Sequence, residues 1–191
     1  MAVLPILHLG DPRLRERSRE VTREELLGAP MQAFIDDLVE TMVNANGAGL
    51  AAPQVGHLVR IAAIWVKDNP RYPYKPNWPL TILVNPILTP LSEESFVNYE
   101  GCLSVPNLRG EVRRAAELRV EALDRHGDAV AFEVRGLTAG TFQHECDHLD
   151  GKLFVDRVFD TGSLTTWAEF ERHKLEGFAA RARAIVARWG A

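Results

Sequence analysis

The chain has 191 residues and a mass of 21.3 kDa, the length of one domain. Hydrophobic residues make up 46% and charged residues 25%, which is ordinary globular usage and argues against disorder. The net charge of −4 argues against DNA or RNA binding over the whole surface, and no apolar run reaches the roughly 20 residues that span a bilayer. Residues 1–5 lack the pattern of a secretory signal, and two cysteines are too few for a disulfide framework. We therefore expect one domain over residues 1–191, located in the cytoplasm.

The first predicted elements are helical and are followed by strands. Asp11 and Pro12 indicate a short helical turn, and apolar residues on one face predict a helix over residues 30–44. Residues 60–66 and 81–88 are typical of apolar strands. Between these strands, residues 67–79 carry a proline at every third position, which favours polyproline II geometry. We expect a stiff surface loop there, and a ligand for an aromatic-lined groove is the alternative.

The second half of the chain predicts a hairpin and two helices. Residues 118–122 and 130–134 alternate between apolar and polar side chains around a turn at 124–128, as a β-hairpin does. Helices are expected over residues 137–149 and 164–189, the second with a long apolar stripe. Helices at both ends and strands in the middle indicate an α+β fold rather than alternating βαβ units.

The strongest chemical signal is an H-E-x-x-H motif at residues 144–148, on a predicted helix. Residues four apart on a helix are nearly in line, so His144 and His148 project from one face, where one metal ion can contact both. Glu145 is then close enough to act on a water beside that ion. Cys146 is rotated by roughly 200° onto the opposite face and is expected to be a buried apolar residue.

A catalytic site of this kind usually has a third protein ligand. A metzincin protease would have a histidine where this chain has Phe154, which excludes that class. A thermolysin-type protease would use a later glutamate, and Glu169 or Glu171 is available. Cys102 is the remaining candidate because a thiolate binds borderline divalent metals well.

A third segment, GAGLAAPQ at residues 47–54, is rich in small residues that permit close approach of a ligand or another backbone. It has neither the G-x-G-x-x-G spacing nor the lysine of a phosphate-binding loop. Gln54 offers two amide donors. On this segment alone, a tight packing loop is the favoured interpretation.

Together, GAGLAAPQ at 47–54, EGCLS at 100–104 and QHECDH at 143–148 resemble the three signatures of the peptide deformylases, in the same order. The resemblance extends from the start of the chain to Phe154 and weakens over the proline-rich segment and the last thirty or so residues. It implies an α+β fold with antiparallel or mixed sheets around the H-E-x-x-H helix, an N-terminal helix and a long C-terminal helix. The implied activity is removal of the formyl group from N-formylmethionine on new polypeptides, with release of formate.

The resemblance also implies roles for individual residues. Glu145 would be the general base and then the acid, and Gln54 with the backbone N–H of Leu103 would stabilise the oxyanion. The family's metal is Fe²⁺, and Zn²⁺, Ni²⁺ or Co²⁺ can substitute. The implied metal ligands are Cys102, His144 and His148.

Substrate-binding residues follow from the same resemblance and from the sequence around the motifs. An extended substrate is expected to pair with the backbone of Ala48 and Gly49. Arg109 resembles an arginine that lines the outer peptide sites, and a solvated strand charge is an equal alternative. Leu137, Gly140 and Thr141 match positions of the methionine pocket. Because Gly140 and Thr141 are small, we expect a roomier pocket and a less strict methionine preference.

The C-terminal segment from residue 172 is basic, with five Lys or Arg residues and one acid, Glu176. Such a surface is suited to docking on the ribosome, where formylated chains emerge. A solvated helix face is the favoured alternative.

Overall fold

The computed structural model of the protein describes residues 2–69 and 73–190. Among these residues, none of the helices combines the length and apolarity needed to cross a membrane. The helices of this part are α1 (Arg23–Leu27), α2 (Ala29–Asn44), α3 (Gly136–Leu149), α4 (Trp167–His173) and α5 (Leu175–Trp189). Its strands are β1 (Gly49–Ala51), β2 (Ile61–Val66), β3 (Trp78–Pro90), β4 (Ser95–Cys102), β5 (Val105–Ala115), β6 (Glu117–Leu123), β7 (Ala129–Arg135) and β8 (Thr165–Thr166).

Two antiparallel sheets enclose α3. One sheet has the strand order β1-β2-β3-β6-β7 and the other has the order β4-β5-β8. Helix α3 packs against strands of both sheets, and twelve of its fourteen residues are buried. The predicted α+β fold, with the H-E-x-x-H helix between the sheets, is therefore confirmed.

Most predicted elements agree with the structure. The helix predicted over residues 30–44 is α2, whose predicted apolar face is buried. Asp11 caps a helical turn at Pro12–Arg15 by accepting a hydrogen bond from the backbone N–H of Arg13. The two predicted strands are β2 and the longer β3, the hairpin is β6 with β7, and the helix over 137–149 is α3. Strands β4 and β5, which hold Cys102 and its neighbours, are missing from the sequence prediction.

The single helix predicted over residues 164–189 is wrong. Residues 165 and 166 form β8, which pairs with β5, and the helix breaks at Lys174. The break lets Phe170 of α4 and Phe178 of α5 both pack on Tyr99 of β4, with ring centroids 5.1 and 5.9 Å from the tyrosine ring. Pairing and aromatic packing thus override the helical periodicity.

The proline-rich segment 67–79 is described only in part, because residues 70–72, among them Pro70 and Tyr72, lie outside the described residues. Trp78 and Pro79 already belong to β3. Tyr74 packs edge-on against Phe178, at a centroid distance of 4.9 Å. This part of the segment is therefore tied to the C-terminal helices.

Candidate metal centre

Two histidines of α3 meet a cysteine of β4. His144 and His148 are one helical turn apart, with ring centroids 5.0 Å from each other. Cys102 ends β4, and its Sγ lies 3.3 Å from Nε2 of His148. One ligand atom from each of these residues lies within 4.8 Å of the other two. Glu169 and Glu171, the alternatives for a third ligand, are exposed on α4.

Glu145 lies beside this group, against β1. Its side chain is buried, and a Cβ added to Gly49 would overlap its carboxylate, so glycine is needed at that position. Its Oε2 has no hydrogen-bond partner among the described residues. Burial raises the pKa of Glu145 to about 7. A carboxyl group that titrates near neutrality is suited to accepting a proton and returning it.

Gln54 is held rigidly in the helical turn that follows β1. Its Oε1 accepts a 2.8 Å hydrogen bond from the backbone N–H of Ala51. Its Nε2 donates to Oγ of Ser104 at 3.1 Å and lies 3.5 Å from Sγ of Cys102. Leu103 is in the turn between β4 and β5. The amide of Gln54 is therefore fixed with its N–H groups toward the cysteine.

A network of hydrogen-bonded charged side chains begins at Nδ1 of His144. This nitrogen is 2.9 Å from Oε2 of Glu100, whose two oxygens each accept a 2.8 Å hydrogen bond from Arg114. Arg114 also donates to Asp147 at 2.6 Å, and Asp147 accepts a 2.6 Å hydrogen bond from Arg157. Burial opposes the ionisation of Glu100, but Arg114 outweighs it and holds the pKa of this carboxyl well below its usual range.

Sequence analysis assigned no role to Glu100 or Arg114. Glu100 is two residues before Cys102, and residues two apart on a strand share a face. This spacing indicates a shared face only when residues 95–102 are known to form a strand, and the sequence analysis did not predict β4. Arg114 lies opposite Phe96 in the register of β4 and β5, so nothing near it in sequence links it to Glu100.

The two histidines differ in their electrostatic surroundings. Burial lowers the pKa of His148 well below its usual value, so its imidazole is neutral, the form that binds metals. Burial also opposes a charge on His144, but Cys102 and Glu100 raise its pKa well above the usual value. The sulfur of Cys102 and the carboxylate of Glu100, which favour a proton on His144, would also favour a metal cation bound beside it. Two imidazoles and one sulfur therefore fit a borderline divalent metal.

The predicted substrate residues divide into two groups. Four of them, Ala48, Gly49, Gly140 and Thr141, line the cleft beside the candidate ligands. Leu137 does not line the cleft, because it is fully buried in a cluster with Phe96 and Phe178.

The alternative of a solvated strand charge is wrong for Arg109, and its role toward the substrate stays a prediction. The side chain is neither solvated nor at the cleft but fully buried. Its guanidinium carbon lies 4.1 Å from the ring centre of Trp167 and 4.5 Å from that of Phe170. It also donates a 3.2 Å hydrogen bond to the hydroxyl of Tyr74. Arg109 thus joins the C-terminal helices and the proline-rich segment to β5.

The space expected at Gly140 and Thr141 is filled. A Cβ at Gly140 would lie 3.2 Å from Cζ of Phe96, so the ring already covers this glycine. The ammonium group of Lys75 reaches into the cleft and donates a 2.9 Å hydrogen bond to Oγ1 of Thr141. The cleft therefore has a free volume of only about 40 Å³.

Cys146 agrees with its prediction. It is buried on the face of α3 that packs against Ala51 and Ala62. Burial raises the pKa of its thiol, so the sulfur stays protonated and is a poor ligand.

Comparisons with known proteins agree on one family. The family model described as polypeptide deformylase matches residues 3–163. A peptide deformylase of Nitrosomonas europaea is 42% identical over 159 residues, which are 83% of this chain and 89% of that protein. A peptide deformylase of Prochlorococcus marinus is 44% identical over 174 residues, 90% of this chain and 88% of that protein.

Solved structures give the same result. A crystal structure of a class I type b peptide deformylase from Acinetobacter baumannii, with Met-Ala-Ser bound, has a TM-score of 0.79 and 38% identity. That comparison covers 82% of this chain and 99% of the other. A peptide deformylase from Synechococcus elongatus, in complex with actinonin, has a TM-score of 0.75 and 32% identity, and covers 95% of this chain and 90% of the other.

Proposed function

Because the chain belongs to the polypeptide deformylase family, we propose that Cys102, His144 and His148 hold the divalent cation on which its activity depends. The chain is a metal-dependent hydrolase that removes the N-formyl group from nascent polypeptides. The observation that supports these three ligands is their convergence, within 4.8 Å, beside the buried Glu145. A cation held there supplies Lewis acidity, which polarises a carbonyl and makes hydroxide available near neutral pH.

Glu145 carries out the proton transfers in this proposal. As a base its carboxylate takes a proton from the attacking water, and as an acid it returns that proton to the departing amine nitrogen. Burial raises the pKa of Glu145 to about 7, and a cation at the neighbouring ligands would favour its carboxylate, the form that takes the proton from water. Contact with Gly49 fixes the position of the carboxylate.

Gln54 and Leu103 stabilise the oxyanion in this proposal. The Nε2 group of Gln54 and the backbone N–H of Leu103 donate to the oxygen of the former formyl group as it becomes negative. Gln54 is already oriented by Ala51 and Ser104, so little reorganisation is needed when the charge develops. Removal of one such donor typically slows turnover by about 10²–10³.

The peptide part of the substrate is proposed to lie along β1. This strand is at the edge of its sheet and pairs only with β2 in the described part of the chain. An extended peptide can add to such an edge through main-chain hydrogen bonds. Ala48 and Gly49 are the residues at this edge that line the cleft.

Release of formate tests the proposal directly. Protein prepared anaerobically with Fe²⁺ is expected to release formate from formyl-Met-Ala-Ser, and Cys102→Ala is expected to lose both the metal and the activity. A thermolysin-type protease would cleave internal peptide bonds and keep its metal in Cys102→Ala. A binding protein without turnover would keep the metal and release no formate.

We propose Fe²⁺ as the metal in the cell. A site of two nitrogens and one sulfur suits several first-row cations, so Zn²⁺, Ni²⁺ and Co²⁺ are expected to substitute. Metal analysis of protein purified under argon, with formate release measured after reconstitution with each cation, tests this choice. Activity with Zn²⁺ equal to that with Fe²⁺, and zinc in the anaerobic protein, would overturn it.

A further part of the proposal is a cytoplasmic location and docking on the ribosome through α4 and α5. Lys174 and Arg183 are exposed there and support it. The other three basic side chains of this region already have acidic partners, in the ion pairs Arg172–Glu169, Arg181–Glu111 and Arg188–Glu94. Co-sedimentation with ribosomes is expected to fall in the double variant Lys174→Glu/Arg183→Glu. Unchanged co-sedimentation would favour a solvated face.

A further inference from the structure

A second groove lies on another face of α3 and is not used by the proposed chemistry. Its α3 residues Gln143, Cys146 and Asp147 recur at helical spacing, and none of them lines the cleft. The groove has a free volume of about 440 Å³, which is within the roughly 300–1,000 Å³ of ordinary binding clefts. We call it the arginine groove because it is lined by five arginines: Arg17, Arg60, Arg113, Arg114 and Arg157.

The positive charge of the arginine groove is only partly balanced. Two acidic side chains line it, Asp147 and Asp150. Each is shared between two arginines, in the ion pairs Arg114–Asp147, Arg157–Asp147, Arg60–Asp150 and Arg17–Asp150. A guanidinium group carries several N–H donors, so arginines that share a carboxylate keep donors for a further anion. The groove is therefore a positive patch on a chain whose net charge is −4.

Two of these arginines are accessible to a partner. The side chain of Arg17 is 79% exposed, and its Nε is 3.7 Å from Asp150, beyond hydrogen-bond distance. Arg113 is exposed on β5 and forms no ion pair with the described residues. Its guanidinium carbon lies 5.5 Å from the ring centre of Phe159. Exposed cations of this kind pair with acidic groups of a partner.

The groove also has an apolar wall. The register of β3 and β6 shifts between Val84 and Ile87, and Asn85 has a φ of 50°. The amide of Asn85 fixes this irregularity through two 2.9 Å hydrogen bonds with the backbone of Val21. Irregularities of this kind re-aim side chains, and Ile87 is 63% exposed. The other apolar residues of the wall are Pro86, Leu88, Pro90 and Leu118.

An apolar wall beside arginines fits a peptide segment that combines carboxylates with apolar side chains. The carboxylates would pair with Arg17 and Arg113, and the apolar side chains would pack on Ile87. Among the described residues that line the groove, none is aromatic, whereas single-stranded RNA is bound by stacking its bases on aromatic rings. We propose that the arginine groove docks an acidic, partly apolar segment of a partner protein.

Fluorescence anisotropy with labelled peptides tests this proposal on the intact protein. A short peptide of Asp and Leu residues is expected to bind at least about tenfold more tightly than the same peptide with Asn in place of Asp. Ser in place of Leu is expected to weaken binding by a similar factor. Added salt is expected to weaken the binding of the Asp–Leu peptide. Equal affinities for the three peptides would overturn the proposal.

Variants of the groove locate the binding. Arg113→Glu is expected to weaken binding of the Asp–Leu peptide by about tenfold or more, because a like charge then faces the peptide. Arg183→Glu makes the same change of charge at an exposed site on α5 and is expected to bind normally. Ile87→Ser is expected to weaken binding by about tenfold, because an apolar contact is lost. Formate release is expected to stay at the wild-type level in all three variants. An equal fall in the two arginine variants, or unchanged binding in Ile87→Ser, would overturn the assignment to this groove.

Other occupants of the groove give different results. Tighter binding of poly-uridine RNA than of the Asp–Leu peptide, with the same loss in Arg113→Glu, would overturn the proposal in favour of RNA. Analytical ultracentrifugation is expected to give the same association state for wild type and Ile87→Ser. A dimer that is lost in Ile87→Ser would instead make the occupant a second copy of this chain.

Discussion

Glu100 connects the candidate ligand His144 to a buried network of ion pairs. One of its oxygens contacts the imidazole, and both accept hydrogen bonds from Arg114. Partners of this kind orient a ligating histidine and fix which of its nitrogens carries the proton. We therefore expect the metal affinity of the site to depend also on Glu100 and Arg114, which are not among the proposed ligands.

Glu100→Gln is expected to weaken metal binding by about 10–100-fold, because the amide cannot replace the negative charge beside His144. Competition with a chelator measures the affinity. Glu111→Gln, which removes the acidic partner of Arg181, is the matched control and is expected to bind metal normally. Equal affinities in the two variants would contradict this role for Glu100.

Glu145→Gln is expected to keep its metal and to lose turnover by about 10²–10⁴-fold, since the amide cannot carry a proton between water and the amine. Metal content and formate release are measured on the same sample. Glu171→Gln removes an exposed acid and is expected to change neither. Loss of metal in Glu171→Gln would instead favour the thermolysin-type arrangement.

At the scale of elements, periodicity predicted the regular segments and failed where polar residues are buried. Helix α2 and the hairpin β6–β7 have apolar faces that any periodic analysis finds. Strands β4 and β5 bury Glu100, Arg109 and Arg114, so their hydrophobic alternation is disrupted. The break at Lys174 also has no proline to signal it, because it arises from distant packing on Tyr99.

The candidate site was more predictable than the strands that hold it. The two histidines are four residues apart on a helix, so local geometry alone brings them together. Cys102 and Gln54 came from the family signatures, which carry information on contacts that are distant in the sequence. Neither the helical spacing nor the family signatures predict Lys75 as a residue of the cleft, because only the folded structure brings it there.

Gly49→Ala tests the contact between β1 and α3. The added methyl group would overlap the Glu145 carboxylate, so turnover is expected to fall by at least about tenfold while the metal is retained. Gly177→Ala is the control, because a Cβ there meets no atom within 4 Å. This helical position is expected to gain up to about 1 kcal/mol of stability. Wild-type turnover in Gly49→Ala would remove β1 from the positioning of Glu145.

For the whole molecule, the C-terminal helices pack on the strand that carries the candidate site, although the family match ends at residue 163. Phe178 packs on Tyr99, which directly precedes Glu100 in β4. Arg109 and Tyr74 continue this contact to the segment that holds Lys75. We therefore propose that residues 1–191 form one catalytic domain, in which α5 supports the strand of the metal centre.

Phe178→Ala is expected to lower the free energy of unfolding by about 3–5 kcal/mol, because a large buried ring is lost. Urea denaturation followed by circular dichroism and by tryptophan fluorescence measures it, and one domain predicts coincident transitions. Phe159→Ala, at an exposed phenylalanine, is expected to change stability by less than about 0.5 kcal/mol. Two separate transitions would contradict the single domain.

The shortness of β1 has a consequence for which proteins are processed. The edge of β1 is three residues long, so in the proposed binding mode a peptide would be held through its main chain over its first few residues only. Main-chain groups are the same in every polypeptide and carry no information about the sequence that follows. An enzyme that binds nascent chains in this way would act on many different proteins, because it would not discriminate between their sequences beyond the first few residues.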